Sequence, residues 1–199
     1  MNFLNNTFEH LFVVESNKID PQPGFDGTNP NDLMYQNHME ALEFVLSKDW
    51  NIGPHTALDI HRVLTRGIPF FENHNNSGFY RNCDVYIGGE QCPAPYLLPD
   101  LMTNFWFYYT EKLMNESKLP PLEIALISHN IFEVIHPFID GNGRTGRLIF
   151  NKVLTQMGDK PRVIFFNDRF SYYEEIQIFR ELHFYNNTFI NLESFFDAV

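Results

Sequence analysis

Residues 120–158 read PPLEIALISHNIFEVIHPFIDGNGRTGRLIFNKVLTQMG. Two prolines open a run in which Leu122, Ile124, Ala125, Leu126, Ile127, Ile131, Phe132, Val134 and Ile135 put apolar groups nearly all round a helix. Proline is tolerated in a first helical turn, where its missing N–H is no loss. A helix greasy on every side belongs at the centre of a fold. It delivers His136 at its C-terminal end, and a glycine-rich turn follows. A second helix then starts near Arg144 and stops at Gly158, a natural residue just past a helix end. The stretch therefore predicts two central helices joined by a short polar loop.

That loop carries the chemistry. Gly141-Asn142-Gly143 at a helix N-terminus presents backbone N–H groups at the positive end of the dipole, which favours an anion. Arg144 and Arg147 lie three apart on one helical face, so both can serve the same anion. Asp140 is a hard oxygen donor suited to Mg²⁺ when phosphate oxygens supply further ligands. His136 titrates near neutrality and can act as a general base. These groups describe a nucleotide-phosphate site with its own metal and base. Gly141, Gly143 and Gly146 also match the G-x-G-x-x-G spacing, but that fingerprint needs a strand before it inside a βαβ unit. Here a helix precedes, so a dinucleotide site is set aside. No Lys-Ser/Thr follows the glycines, and His129, His136 and Asp140 fit no zinc spacing.

Outward from this centre the pattern stays helical. Phe3, Leu4, Phe8, Leu11, Phe12 and Val14 space a short amphipathic helix over 3–16. A Pro/Gly loop spans 20–31, and Asn31 or Asp32 caps a helix through Leu46. Pro54 opens another that ends near Gly67. Leu101 to Met114 is helical, and further helices are expected over 171–186 and 191–198. Cys83, Val85 and Ile87 alternate before Gly88-Gly89, which predicts one hairpin whose proline-rich return arm is an exposed edge. The expected fold is all-α, a helical bundle around a central helix–loop–helix with one β-hairpin. It forms a single domain over 1–199, with N-terminal helices in 1–53, a core in 54–186 and a C-terminal helix in 187–199.

Composition narrows the function. Of 199 residues, 44% are hydrophobic and 16% aromatic, enough for a sizeable core and unlike a disordered chain. The 25 acidic residues outnumber 14 basic ones, for a net charge of −11. This argues against nucleic acid and against anionic membrane. A polyanionic ligand must then be small and held by a local cationic cluster. Met1 to Asp20 lacks the basic start and cleavage site of a secretory signal, and no apolar run is long enough to span a membrane. Cys83 and Cys92 read as free thiols of a reducing compartment, so the expected location is the cytoplasm.

The run from His136 to Arg147 resembles the Fic (filamentation induced by cAMP) family, matching H-P-F-x-D/E-G-N-G-R-x-x-R at every fixed position. Ile60–Leu64, Ser77-Gly78-Phe79-Tyr80-Arg81 and Val85-Tyr86-Ile87-Gly88-Gly89 resemble the family's upstream helix, G-x-Y-R turn and flap. The likeness covers about residues 55–180. It implies a Fic fold and transfer of AMP from ATP to a hydroxyl of a target protein, with His136 as base and Asp140 holding Mg²⁺. It also implies nucleotide contacts from Phe138, Gly141, Asn142, Gly143, Arg144 and Arg147. Arg169 with Tyr172-Tyr173 would close over the adenine, and Val85, Tyr86, Ile87 and Gly88 would dock the target. Gly143 replaces the lysine of the related Doc kinases, which favours nucleotidyl transfer.

Two departures stand out. Many relatives carry an inhibitory helix, S/T-x-x-x-E followed by G or N, whose Glu pairs with the second motif arginine. Ser16-Asn-Lys-Ile-Asp20 resembles it with Asp for Glu and Pro21 for Gly; the shorter side chain leaves its reach to Arg147 open, and the expectation is that Asp20 restrains ATP only partly. Arg180 falls near the adenine by counting, which leaves nucleotide choice open. The rival readings are another Fic-type transfer (UMP, de-AMPylation, a Doc-like kinase) or an inhibited nucleotide-binding module silenced by an antitoxin or a second copy of the chain. The remaining histidines, His61 among them, are assigned to packing.

Overall fold

The computed structural model describes residues 7–47, 49–186 and 188–197. Helix α1 (Phe8–Ile19) begins at Thr7, whose hydroxyl accepts the His10 N–H at 3.3 Å. Phe3 and Leu4, expected in this helix, lie outside the described residues. Asp32 caps α2 (Leu33–Leu46) by accepting the Met34 N–H at 2.8 Å. Helices α3 (Thr56–Thr65) and α4 (Pro69–Glu72) follow, then strands β1 (Tyr86–Ile87) and β2 (Glu90–Gln91). The hairpin pairs Tyr86 with Gln91 and Ile87 with Glu90. Gly88 and Gly89 both take positive φ, as the tightest hairpin turn requires.

The expected helix from Leu101 comes in three registers. A short α5 (Leu98–Asp100) leads into a π-helical stretch, Leu101–Phe107, and then α6 (Tyr108–Glu116). The wider π turn lets Met102, Trp106 and the adjacent Phe107 all reach the core. Trp106 donates its indole N–H to the Ser128 carbonyl at 3.0 Å.

Helices α7 (Pro121–Ile135) and α8 (Asn142–Gln156) form the central pair. Ile124, Ile131, Phe132, Ile135, Leu148, Ile149 and Val153 are fully buried between them and their neighbours. Helices α2 and α3 cover α8, while α6 and α9 (Arg169–His183) cover α7.

At the C-terminal end the structure corrects two expectations. Helix α9 stops at His183 rather than running to 186, and a second hairpin pairs β3 (Phe184–Tyr185) with β4 (Thr188–Phe189). Among the described residues the bundle therefore carries two hairpins, and the segment after 187 is not one helix: β4 occupies 188–189 and α10 (Ser194–Asp197) is the helical part. Aromatic and β-branched residues favour a strand, and Asn186 accepts the left-handed conformation the turn demands. Both cysteines are free, Cys83 exposed and Cys92 buried. Among the described residues no helix is long and apolar enough to cross a membrane.

Candidate active site

His136 ends α7 in the left-handed conformation, φ 51° and ψ 63°, and its N–H still reaches the Phe132 carbonyl at 2.9 Å. This backbone is costly for a residue with a Cβ and persists only where its surroundings hold it. Three groups do so. The Asn142 side chain accepts the Phe138 N–H at 2.9 Å and donates to the Phe138 carbonyl at 2.8 Å. Arg81 donates from Nε to the His136 carbonyl at 2.8 Å, and its backbone N–H reaches the Pro137 carbonyl at 2.9 Å. His61 accepts the Gly78 N–H on Nδ1 at 3.0 Å, which leaves its proton on Nε2 to donate to the Asp140 carbonyl at 3.0 Å.

His61 also stacks on Phe138, centroids 3.8 Å apart, and burial depresses its pKa to about 3. It therefore clamps the loop as a neutral ring. The sequence showed its packing but not this hydrogen bond, which joins positions 79 residues apart.

These clamps fix what each expected site residue can offer. Phe138 is fully buried and serves as the hydrophobic peg under the loop. The Asn142 amide is committed to Phe138, so its backbone N–H is what remains for an anion. Gly141 takes φ +79° as it starts α8, and a Cβ there would sit 3.3 Å from His61 Nε2. Asp140 accepts the Gly141 N–H at 2.6 Å and stands 3.7 Å from Arg144; its side chain is 40% exposed. Among the described residues no three His, Cys, Asp or Glu side chains gather into a metal cage. One accessible carboxylate nevertheless fits Mg²⁺, which commonly takes one or two from the protein and the rest from phosphates and water.

The two motif arginines lie beneath the N-terminal segment. Arg147 donates from Nε to the Ser16 hydroxyl at 2.8 Å and from Nη2 to the Ser16 carbonyl at 3.0 Å and to Asp20 Oδ2 at 2.7 Å. The shorter side chain of Asp20 does reach Arg147, because α1 runs on to Ile19 and lays its end over α8. Arg144 donates to Gln22 Oε1 at 3.1 Å, a contact the sequence did not suggest. Burial is the largest single influence on Arg147 and works against its charge, but Asp20, Tyr172 and Glu133 together outweigh it and the guanidinium pKa is raised overall. Arg144 Nε and Nη1 and Arg147 Nη1 are buried without partners. A Cβ on Gly143 would collide with Asp20 Oδ2 and crowd Arg147 Nη1, so a larger residue at 143 would have to displace the Asp20 carboxylate from this position.

A cavity of about 660 Å³ opens above these groups, bounded by Asp20, His136, Gly143, Arg147, Tyr172 and the flap residues Ile87 and Gly88. This size suits a small organic ligand. Burial lowers the His136 pKa to about 4, only partly offset by the nearby Glu133 carbonyl. Tyr172 is buried, with its hydroxyl 2.9 Å from His129 Nε2, while Tyr173 stands half exposed at the rim with its hydroxyl 3.4 Å from the Ile19 carbonyl. Arg169 lies over the rings of Phe166 and Phe170. Tyr86 is exposed on the flap. Arg180 straps the flap to α9, donating to the Gln91 carbonyl at 2.6 Å and pairing with Glu90 at 2.9 Å.

Residues 51–154, just over half of the chain, match the Fic/DOC family. Among curated relatives, the protein adenylyltransferase Fic of Nematostella vectensis is 37% identical over 140 residues, 68% of this chain and 31% of that protein. The protein of the same name from Aedes aegypti is 35% identical over 139 residues, 70% of this chain and 25% of its own length. The chain thus spans no more than a third of the curated relatives it matches. Of solved structures, a Fic domain-containing signalling protein from Bacteroides thetaiotaomicron superposes with a TM-score of 0.71 at 22% identity, covering 87% of this chain and 72% of that one. Fic-1 from C. elegans gives 0.66 at 22% identity, covering 85% and 54%.

Proposed function

The chain belongs to the Fic/DOC family, and from that membership we propose that it transfers AMP from ATP to a hydroxyl group of a target protein. The observation that carries this reading is the meeting of His136, Arg147 and the N-terminal turn of α8 at one 660 Å³ cavity. A base, a cationic group and an anion-binding backbone thus face one space. The relatives named protein adenylyltransferase support the same activity.

In this mechanism the N–H groups of Asn142 and Gly143 and the α8 dipole hold the phosphates, while the Gly141 N–H stays on the Asp140 carboxylate. Arg144 and Arg147 neutralise the β and γ groups once the N-terminal segment withdraws. His136, neutral because burial depresses its pKa to about 4, accepts the proton of the target's Ser, Thr or Tyr hydroxyl as the oxygen approaches the α-phosphorus. Asp140 would hold Mg²⁺, which when bound supplies positive charge to the phosphate oxygens. Tyr172 and Tyr173 bound the cavity where the base would lie, and Tyr86 and Ile87 offer a strand edge to the target segment. Catalysis here is positioning and electrostatics, as phosphoryl-type chemistry needs.

Ser16 and Asp20 act in the same reading as a restraint, since they occupy the guanidinium that a γ-phosphate would use.

The test is incubation of the protein with lysate, Mg²⁺ and ATP labelled at the α- or the γ-phosphate. Protein-bound α-label that disappears in His136→Ala is the expected result. Label from the γ-position alone would make the protein a kinase, and no label from either with ATP bound would make it a binding module.

A further inference from the structure

His129 and Glu133 lie one turn apart on one face of α7, and His136, which ends the helix in the left-handed conformation, brings its ring to the same carboxyl. Glu133 is buried on a helix that is otherwise nearly all apolar. A carboxyl in such a place is expensive unless its surroundings repay it. Its two oxygens are divided between the histidines: Oε1 stands 4.0 Å from His129 Nδ1, and Oε2 stands 4.0 Å from His136 Nδ1. Glu133 Oε1 and both Nδ1 atoms are buried without a well-formed hydrogen bond, although the main-chain carbonyl of Glu133 stands near His136 and that of Gly146 near His129. The far nitrogen of His129 is already engaged by the Tyr172 hydroxyl. Helix α8 passes close enough for this only because residue 146 is glycine: a Cβ there would collide with Glu133 Oε1 and lie 3.0 Å from His129 Nδ1.

We propose that Glu133 is a positioning residue for His136, its carboxylate accepting the Nδ1–H so that Nε2 is left bare to take the hydroxyl proton, and steadying the imidazolium that forms. This rests on the AMP-transfer reading above. A separation of 4.0 Å is too long for a hydrogen bond, but such contacts are often long in substrate-free sites and tighten when the substrate is bound. The proton balance is simple. The hydroxyl proton passes to Nε2, the hydroxyl oxygen bonds the α-phosphorus, and the bond to pyrophosphate breaks. The imidazolium returns its proton to solvent after release, and Glu133 itself neither gains nor loses one.

The ionisation of Glu133 is set by what surrounds it. Burial is the largest influence and pushes its pKa up to about 8; Arg147 on α8 opposes this, and Asp20 at the end of α1 adds to it. His129 on α7, His136 at its end, and Tyr172 and Tyr173 on α9 are the other titratable groups around it, with Cys92 beyond the flap close enough to feel the charge. The carboxylate therefore becomes available as pH rises through about 8.

Turnover of α-labelled ATP between pH 6 and 9 reads this out. The wild-type kcat should climb through about pH 8, while Glu133→Gln stays flat. The two should agree near pH 6 and differ by about tenfold at pH 9, with KM for ATP unchanged. Parallel profiles would assign Glu133 a structural role only. Long-range ¹H–¹⁵N spectra of the His136 ring give a second reading that needs no turnover. At pH 9 the proton should sit on Nδ1 in the wild type and shift toward Nε2 in Glu133→Leu; the same tautomer in both would overturn the proposal. If the wild type transfers no label yet shows this tautomer change, the AMP-transfer reading fails and the Glu133–His136 pairing stands. The wild-type pH profile and spectrum do not depend on a variant folding.

Discussion

The floor and the lid of the cavity are both polar and both largely buried, yet they are fastened differently. The floor, His136 to Asn142, is held through its backbone: Asn142 clasps Phe138, His61 the Asp140 carbonyl, and Arg81 the His136 carbonyl. The lid, Ser16 to Gln22, meets the cavity through two guanidiniums, with Asp20 and Ser16 on Arg147 and Gln22 on Arg144, while Asn17 behind it ties the end of α1 to the Gly27 carbonyl and His38. Backbone fastening preorganises a site, because the loop's shape is spent on no other partner. Contacts to a guanidinium can be exchanged for contacts from a phosphate. The floor is therefore fixed machinery, and in the proposed reading the lid takes the seats that a triphosphate would use.

The contrast breaks first at Asn142. Asn142→Ala leaves the buried Phe138 N–H and C=O without partners, at a cost of about 2–3 kcal/mol. Transfer should fall by two orders of magnitude or more, with a lower melting temperature; a loss confined to ATP affinity would mean that the floor is not clamped as described.

A second effect spans the whole polar interior. Burial lowers the pKa of His38, of His61 to about 3, of His129 to about 3 and of His136 to about 4. Each stays neutral in the fold and takes up a proton on unfolding below about 6.5. Their contribution is complete above that pH and is lost as pH falls toward 4. Glu133 runs the other way, since its raised pKa removes stability as pH climbs from about 4.5 to about 8. With four histidines against one carboxyl, the melting temperature should drop by about 10 °C between pH 6.5 and 4.5. A flat melting temperature across that interval would deny that the histidines are buried and neutral.

Smaller effects separate lid from flap. Arg180→Ala frees β1–β2 from α9 and should raise KM for the protein target several-fold while ATP affinity holds; equal changes in both would place Arg180 at the nucleotide. Gln22→Ala removes one neutral acceptor from Arg144 and should tighten ATP by no more than about threefold, within the worth of a single hydrogen bond. A tenfold gain would move the main restraint from Asp20 to Gln22.

The same division explains what the sequence disclosed. The floor was legible because its chemistry sits in twelve contiguous residues whose types name their roles: base, carboxylate, glycine turn, paired arginines. The lid was legible only as a pattern, because whether Asp20 reaches Arg147 depends on how α1 lies across α8, 127 residues away along the chain. His61 and Arg180 were read as a packing group and a base contact. Their hydrogen bonds to the Asp140 and Gln91 carbonyls are tertiary and carry no local signal. Glu133 carries no local signal in an apolar helix, where a lone acid usually marks a solvated face. The second hairpin was missed because Phe184 to Phe189 continues the aromatic run of α9 without a proline or glycine to end it.

The central claim is that the chain's own segment occupies a triphosphate site, and calorimetric titration of ATP with Mg²⁺ tests it most directly. Asp20→Gly should bind about tenfold more tightly than the wild type, and Arg147→Ala more weakly than either. Equal affinity in wild type and Asp20→Gly, with Arg147→Ala unaffected, would contradict it.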